Sequence, residues 1–118
     1  MKIRLIRDSV AMGDDVYAPN EKVIEIPATF TLEELVKQVK EIHYLPSIYG
    51  GKATWVLYED FNRPPLVVLA QQWEKAKFLV DSSQTLSDLF LGKDQGVFFF
   101  RYLLQRDPDE VFQSFKQE

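Results

Sequence analysis

The most constraining feature of this chain is the run from Val97 to Leu104, where Phe98, Phe99 and Phe100 follow one another and only Arg101 interrupts the apolar and aromatic side chains. A strand that is apolar on both faces needs cover on both, so the run predicts a central strand held between a helix and a second layer. The chain is 118 residues long, which fits one domain able to bury about two thirds of the surface its unfolded form exposes. Nine Phe, five Tyr and two Trp supply large side chains for such a core.

The remaining segments are read around that strand. Ile3, Leu5 and Ile6 alternate with Lys2, Arg4 and Arg7, which predicts a first strand over residues 2–8. Gly13, Asp14, Asp15, Pro19 and Asn20 favour turns, and Val23 to Ile26 resumes an extended pattern, so the first two strands form a hairpin with a long connection. From Thr31 to Ile42 the residues Leu32, Leu35, Val36, Val39 and Ile42 fall at helical spacing on one face. Thr31 and Glu34 have the spacing of a reciprocal capping pair, and Lys37 and Lys40 sit toward the negative end of the helix dipole.

Leu45-Pro46 and Gly50-Gly51 end that helix. Thr54 to Tyr58 and Leu66 to Ala70 read as a second hairpin around Asn62 and Pro64-Pro65, with Lys77 to Val80 as a shorter extended piece. Thr85 and Asp88 cap a helical turn that turns Leu86, Leu89 and Phe90 inward, and Gly92 to Gly96 reads as a turn. Finally Asp107, Pro108, Asp109 and Glu110 start a short helix running through Lys116, with Val111, Phe112 and Phe115 as its apolar stripe. Residues 107–118 are therefore read as a helical extension of the domain formed by residues 1–106.

This order resembles the ubiquitin-like β-grasp fold, with local likenesses at Met1-Lys2-Ile3, at Thr31 to Val36 and at Thr85-Leu86-Ser87-Asp88. The resemblance implies an α+β domain with a mixed sheet crossed by one main helix, to which a short C-terminal helix is added. It also implies that residues 2–8 and 97–104 are adjacent and parallel. Two features depart from the family. Ubiquitin and its sulfur-carrier relatives end in a free Gly-Gly, whereas Gly50-Gly51 is internal here and the sequence runs on from Leu104 to Glu118. The segment 9–20 also stands where ubiquitin has a tight first turn.

Several chemistries are disfavoured by composition. Without cysteine there is no disulfide, thiolate nucleophile or Cys-based zinc site. A net charge of −4 argues against a phosphate-tracking basic surface, so nucleic acid is not expected as a partner, and Lys2, Arg4 and Arg7 read as a solvated strand face. The start Met1-Lys2-Ile3-Arg4 opens no long apolar run with a cleavage site, and nowhere do about 18 consecutive apolar residues occur. The expectation is a soluble cytoplasmic protein that does not engage a membrane.

Reactive side chains are sparse. His43, the single histidine, stands near a helix end where an imidazolium would interact favourably with the dipole, and spacing supplies it no nucleophile or acid partner. Asp8, Asp14, Asp15 and Glu21 could gather round a hard cation, but their spacing matches no calcium loop, and Asp in a Gly-containing turn more often serves backbone hydrogen bonds. Ser9, Ser47, Ser82, Ser83, Ser87 and Ser114 lack a nucleophile-elbow setting, and there is no phosphate-binding glycine loop. No metal, cofactor or catalytic residue is assigned, and the chain is not read as an enzyme.

The functional expectation is a non-enzymatic protein-interaction module acting through its sheet face, a sheet edge or aromatic loops. Among its aromatic residues Tyr44, Trp55 and Phe61 are weighed as contacts too, but the interaction residues assigned are Tyr49, Gly50, Gly51, Lys52, Gln72 and Trp73, which join large rings to polar or flexible backbone, together with Phe112 and Phe115 of the tail stripe, which either covers the domain's own apolar surface, the reading favoured, or docks onto a partner or second copy. Its partner is an unidentified protein or, as a homodimer, a second copy. Within the binding class an inhibitor or immunity-type protein is an alternative. The competing class is a small-ligand or metal-binding protein or enzyme with a site near the Asp14/Asp15 loop, His43 and Trp73. A deep pocket joining two of those residues would favour it.

Overall fold

The computed structural model describes residues 1–8, 20–46 and 51–116, so Ser9, Asp14, Asp15, Ser47, Tyr49 and Gly50 lie outside the described residues. The described chain is a small α+β domain with a mixed six-stranded sheet and three helices. Its strands are β1 (Lys2–Arg7), β2 (Glu21–Glu25), β3 (Thr54–Tyr58), β4 (Val67–Ala70), β5 (Lys77–Phe78) and β6 (Gln95–Tyr102). Its helices are α1 (Leu32–Glu41), α2 (Leu86–Leu89) and α3 (Pro108–Lys116). The strand order is β2-β1-β6-β3-β4-β5. The late apolar run is central, paired in parallel with β1 through Leu5 opposite Phe98 and antiparallel with β3 through Leu57 opposite Phe100.

Each helix start follows from its cap. Glu34 N–H donates to the Thr31 hydroxyl oxygen at 3.2 Å, and Thr31 N–H donates to the Glu34 carboxylate at 3.1 Å, the reciprocal pair read from the sequence. The other first-turn donors are met across the fold. Leu32 and Glu33 N–H donate to the carbonyls of Gln84 and Ser82, while Leu86 and Ser87 N–H donate to those of Phe30 and Ala28. The segment leading into each helix thus satisfies the open end of the other. The 81–84 approach is itself a turn in which the Asp81 carboxylate accepts the Ser83 hydroxyl and N–H, bonds that hold its pKa below the usual carboxylate range.

Two apolar layers flank the sheet. On the inner face Leu32, Leu35, Val36 and Val39 of α1 pack over Ile3, Leu5, Trp55, Leu57, Phe98 and Phe100. Val56, Tyr58 and Val68 point to the outer face, where Val111 of α3 is buried against them and Phe112 and Phe115 are half-buried. The tail stripe therefore covers the domain's own sheet. Asp107 caps this helix by accepting Asp109 N–H at 2.9 Å, and a 2.7 Å ion pair between Lys77 Nζ and Asp109 ties it to β5.

Element boundaries shift slightly from expectation. The extended piece at 77–80 is a strand for two residues only, and the tail helix is described to Lys116, with 117 and 118 outside the described residues. Gln95 and Gly96, read as part of a turn, belong to β6. They pair with Lys2 and Ile3 of β1, and glycine is needed at 96 because a Cβ there would stand 2.5 Å from the Phe90 ring. The run 97–104 is also less evenly covered than its composition implies, because Val97 and Phe99 are only half-buried on the outer face. Arg7 was grouped with Lys2 and Arg4 as solvated, yet it is 2% exposed. Strand alternation turns it inward with Ile3 and Leu5.

Two stability outcomes follow. Leu35→Ala should cost about 2–5 kcal/mol in denaturant unfolding, because Leu35 is fully enclosed and its removal leaves a cavity. Truncation after Arg106 should cost at least about 3 kcal/mol, the burial of Val111 plus the re-exposure of one sheet residue beneath it. Unchanged melting of the truncated chain would show that α3 does not cover the sheet.

Candidate functional site

A concavity lies where α1 ends above β3 and β4. Val39, Trp55 and Leu69 form its apolar floor, and Lys40, His43, Gln71 and Trp73 stand round it, enclosing about 260 Å³. Helix termination shapes its mouth. The N–H groups of Ile42, His43 and Tyr44 donate to the carbonyls of Gln38, Lys40 and Val39, which satisfies the last turn. His43 takes φ 54°, the left-handed conformation normally left to glycine just past a helix, and the chain reverses there. Lys40 Nζ donates to the Glu74 carbonyl at 2.7 Å, bridging the helix to the segment after β4. The Gln71 side chain accepts Ala53 N–H, and the Trp55 ring packs on Tyr102 at 4.8 Å.

A second hollow of about 310 Å³ brings Lys52, Gln72 and Trp73 together with Gln105, Asp107, Pro108 and Asp109. Three of the assigned interaction residues thus converge beside the start of α3. Gly51 precedes them at φ 70° with open space around its Cα, while Lys52 and Gln72 are exposed. Trp73 is half-buried against the outer cluster, with Lys77 Nζ 4.6 Å above its ring. Phe112 and Phe115 lie on the sheet-facing side of α3, and Lys116 Nζ sits 5.4 Å from the Phe112 ring.

The outer sheet face is divided. Its β3–β4 half lies under α3, whereas its β2–β1–β6 half presents Val23, at 52% exposure, beside Arg4 and Val97 in one cross-strand row. Phe61, 54% exposed, adds its ring to that half by packing on Phe99 at 4.9 Å and Tyr58 at 5.2 Å. Arg4 Nε donates to Glu21 at 2.6 Å, which raises the Arg4 pKa and holds the Glu21 carboxyl below its usual range. This half was not assigned from the sequence. The signal available was strand parity, which puts Lys2 and Arg4 opposite to Ile3 and Leu5, but Phe61 joins it only through tertiary contact.

Several other polar groups serve structure. Asp8 accepts Tyr102 N–H at 2.9 Å, the Ser83 hydroxyl donates to Asp81, and that of Ser114 donates to the Val111 carbonyl. Among the described residues no three of His, Asp and Glu stand close enough to hold a metal ion, and no helix is long and apolar enough to cross a membrane. Neither protein-family models nor curated proteins give a match to this chain.

Tyr44, in the segment after α1, yields a pH dependence. Its hydroxyl donates to the Asn20 carbonyl at 2.8 Å, its ring meets Phe100 edge-on at 5.7 Å, and Arg7 lies over its face. Burial raises its pKa above the ordinary phenol value, against the opposing pull of the Arg7 charge. A raised folded-state pKa means that the stabilisation is complete below about pH 10 and is lost as pH rises toward the folded value. Tyr44→Phe should lower stability by about 1 kcal/mol at neutral pH, through loss of one hydrogen bond. Melting curves of the two proteins should converge above about pH 10, and a constant gap through pH 12 would contradict this assignment.

Proposed function

We propose that this chain is a ubiquitin-like β-grasp domain that acts in the cytoplasm as a non-enzymatic protein-interaction module, with the open β2–β1–β6 half of its outer face as the contact surface. The observation that carries the reading is the unequal cover of that face: α3 lies over the β3–β4 half and leaves Val23 and Phe61 presenting apolar area to solvent. Apolar residues grouped within a charged rim favour association, because burying them recovers transfer free energy while the rim sets orientation. The rim here holds Lys2, Arg4 and Arg101 among Glu21 and Glu25. The strand order and the parallel β1–β6 pair support the β-grasp assignment. The described carboxylates and hydroxyls with side-chain bonds are engaged in caps, turns and pairs, which favours binding over catalysis.

Affinity purification of the full chain and of a Val23→Asp/Phe61→Gln variant tests this function. The unaltered chain should retain one protein at stoichiometric amount, and the variant should lose it by about tenfold or more while melting within about 1 kcal/mol of the parent, as exposed sites allow. Absence of a stoichiometric partner under several growth conditions, or its full retention by the variant, would overturn the proposal.

A further inference from the structure

We propose that the cleft at the end of α1 is a binding site for a small single-ring organic anion, with the ring against Leu45, Pro46 and Trp73 above a floor of Trp55 and Leu69, and the anionic group at Lys40 and His43. This site is separate from the outer sheet face and does not depend on the function proposed for it. Leu45, Pro46 and Trp73 line the cleft half-buried, above the buried side chains of Val39, Trp55 and Leu69, so an apolar ring entering it meets a surface held in place by the core. At about 260 Å³ the cleft falls just below the roughly 300 Å³ at which drug-sized pockets begin. That selects a ligand of one ring and a short substituent.

The charge at the mouth selects its sign. Among the described residues no carboxylate side chain lines the cleft, whereas Lys40 does, and His43 offers an imidazole N–H in either charge state. An ammonium carries three donors, and the bond to the Glu74 carbonyl uses one of them. The negative end of α1 opposes an anion here, but it amounts to about half a unit charge against the full charge of Lys40. The carbonyls of Gln38, Val39 and Lys40 already accept backbone N–H groups, which weakens their opposition.

His43 is the second observation. A non-glycine residue at φ 54° occupies a position where glycine is the conformationally cheapest choice, and the consequence is an imidazole held at the rim. A His43→Gly change should therefore keep or raise thermal stability while weakening the ligand. A residue whose role was only to end the helix would show the first effect without the second.

Both tryptophans of the chain line this cleft, so their two indole N–H signals in a nitrogen–proton correlation spectrum report on it directly. The full chain is titrated with phenylacetate, with its neutral isostere phenylacetamide and with acetate, which lacks the ring. Phenylacetate should shift both indole signals saturably and bind at least about tenfold more tightly than either control. Lys40→Gln and His43→Gly should each remove most of that advantage without changing the weak binding of phenylacetamide. Comparison of the three probes on the unaltered chain decides the matter even if a variant fails to fold. Absence of saturable shifts, equal binding of the amide, or an equal response to acetate would each overturn the proposal.

Discussion

The fold depends on β6 being paired along both edges while carrying bulky side chains on both faces. Its backbone groups are satisfied by β1 on one side and β3 on the other, so the strand is fixed in the middle of the sheet. Phe98 and Phe100 then face inward, and Val97 and Phe99 face outward. A strand of this kind makes both faces of the sheet costly to leave in water, and the two longer helices answer that demand from opposite sides. On the inner face α1 packs over residues of β1, β3 and β6. The outer cover comes from a nine-residue helix, which is long enough for only part of the face.

The helix starts and the first hairpin are locked by bonds between distant segments. Because the approaches to α1 and α2 satisfy each other's open N–H groups, neither helix end can shift without exposing the other. The Asn20 carbonyl performs a similar role at the far end, accepting both Arg7 N–H and the Tyr44 hydroxyl. That acceptor joins the start of β2, the end of β1 and the segment after α1.

The two surfaces proposed for binding differ in physical character. The outer half-face is broad and bordered by charges of both signs, which suits another protein surface. The cleft is narrow, floored by enclosed core residues and rimmed by Lys40 and His43, which suits a small charged molecule. The hollow beside Lys52, Gln72 and Trp73 is somewhat larger than the cleft, and Trp73 contributes to both. A ligand in the cleft would therefore touch the same indole that packs on the outer cluster beside α3.

Features carried by near neighbours in the chain were legible in the sequence. The Thr31–Glu34 cap, the apolar face of α1, the Asp107-Pro108 start of α3 and the extended runs at β1, β3, β4 and β6 all rest on spacings of two to four residues. Their physical cause is local: which side chains share a face, and which can reach a backbone donor one turn away. What tertiary structure decided are the meetings between segments. It placed Phe90 over Gly96, and it carried Phe61 onto Phe99. It also gathered His43, Trp55 and Trp73 round one cleft and laid α3 on one half of the outer face rather than the other. These follow from the register and order of the strands, which position residues tens of places apart through the packing of the whole core, and no spacing within a single segment encodes them.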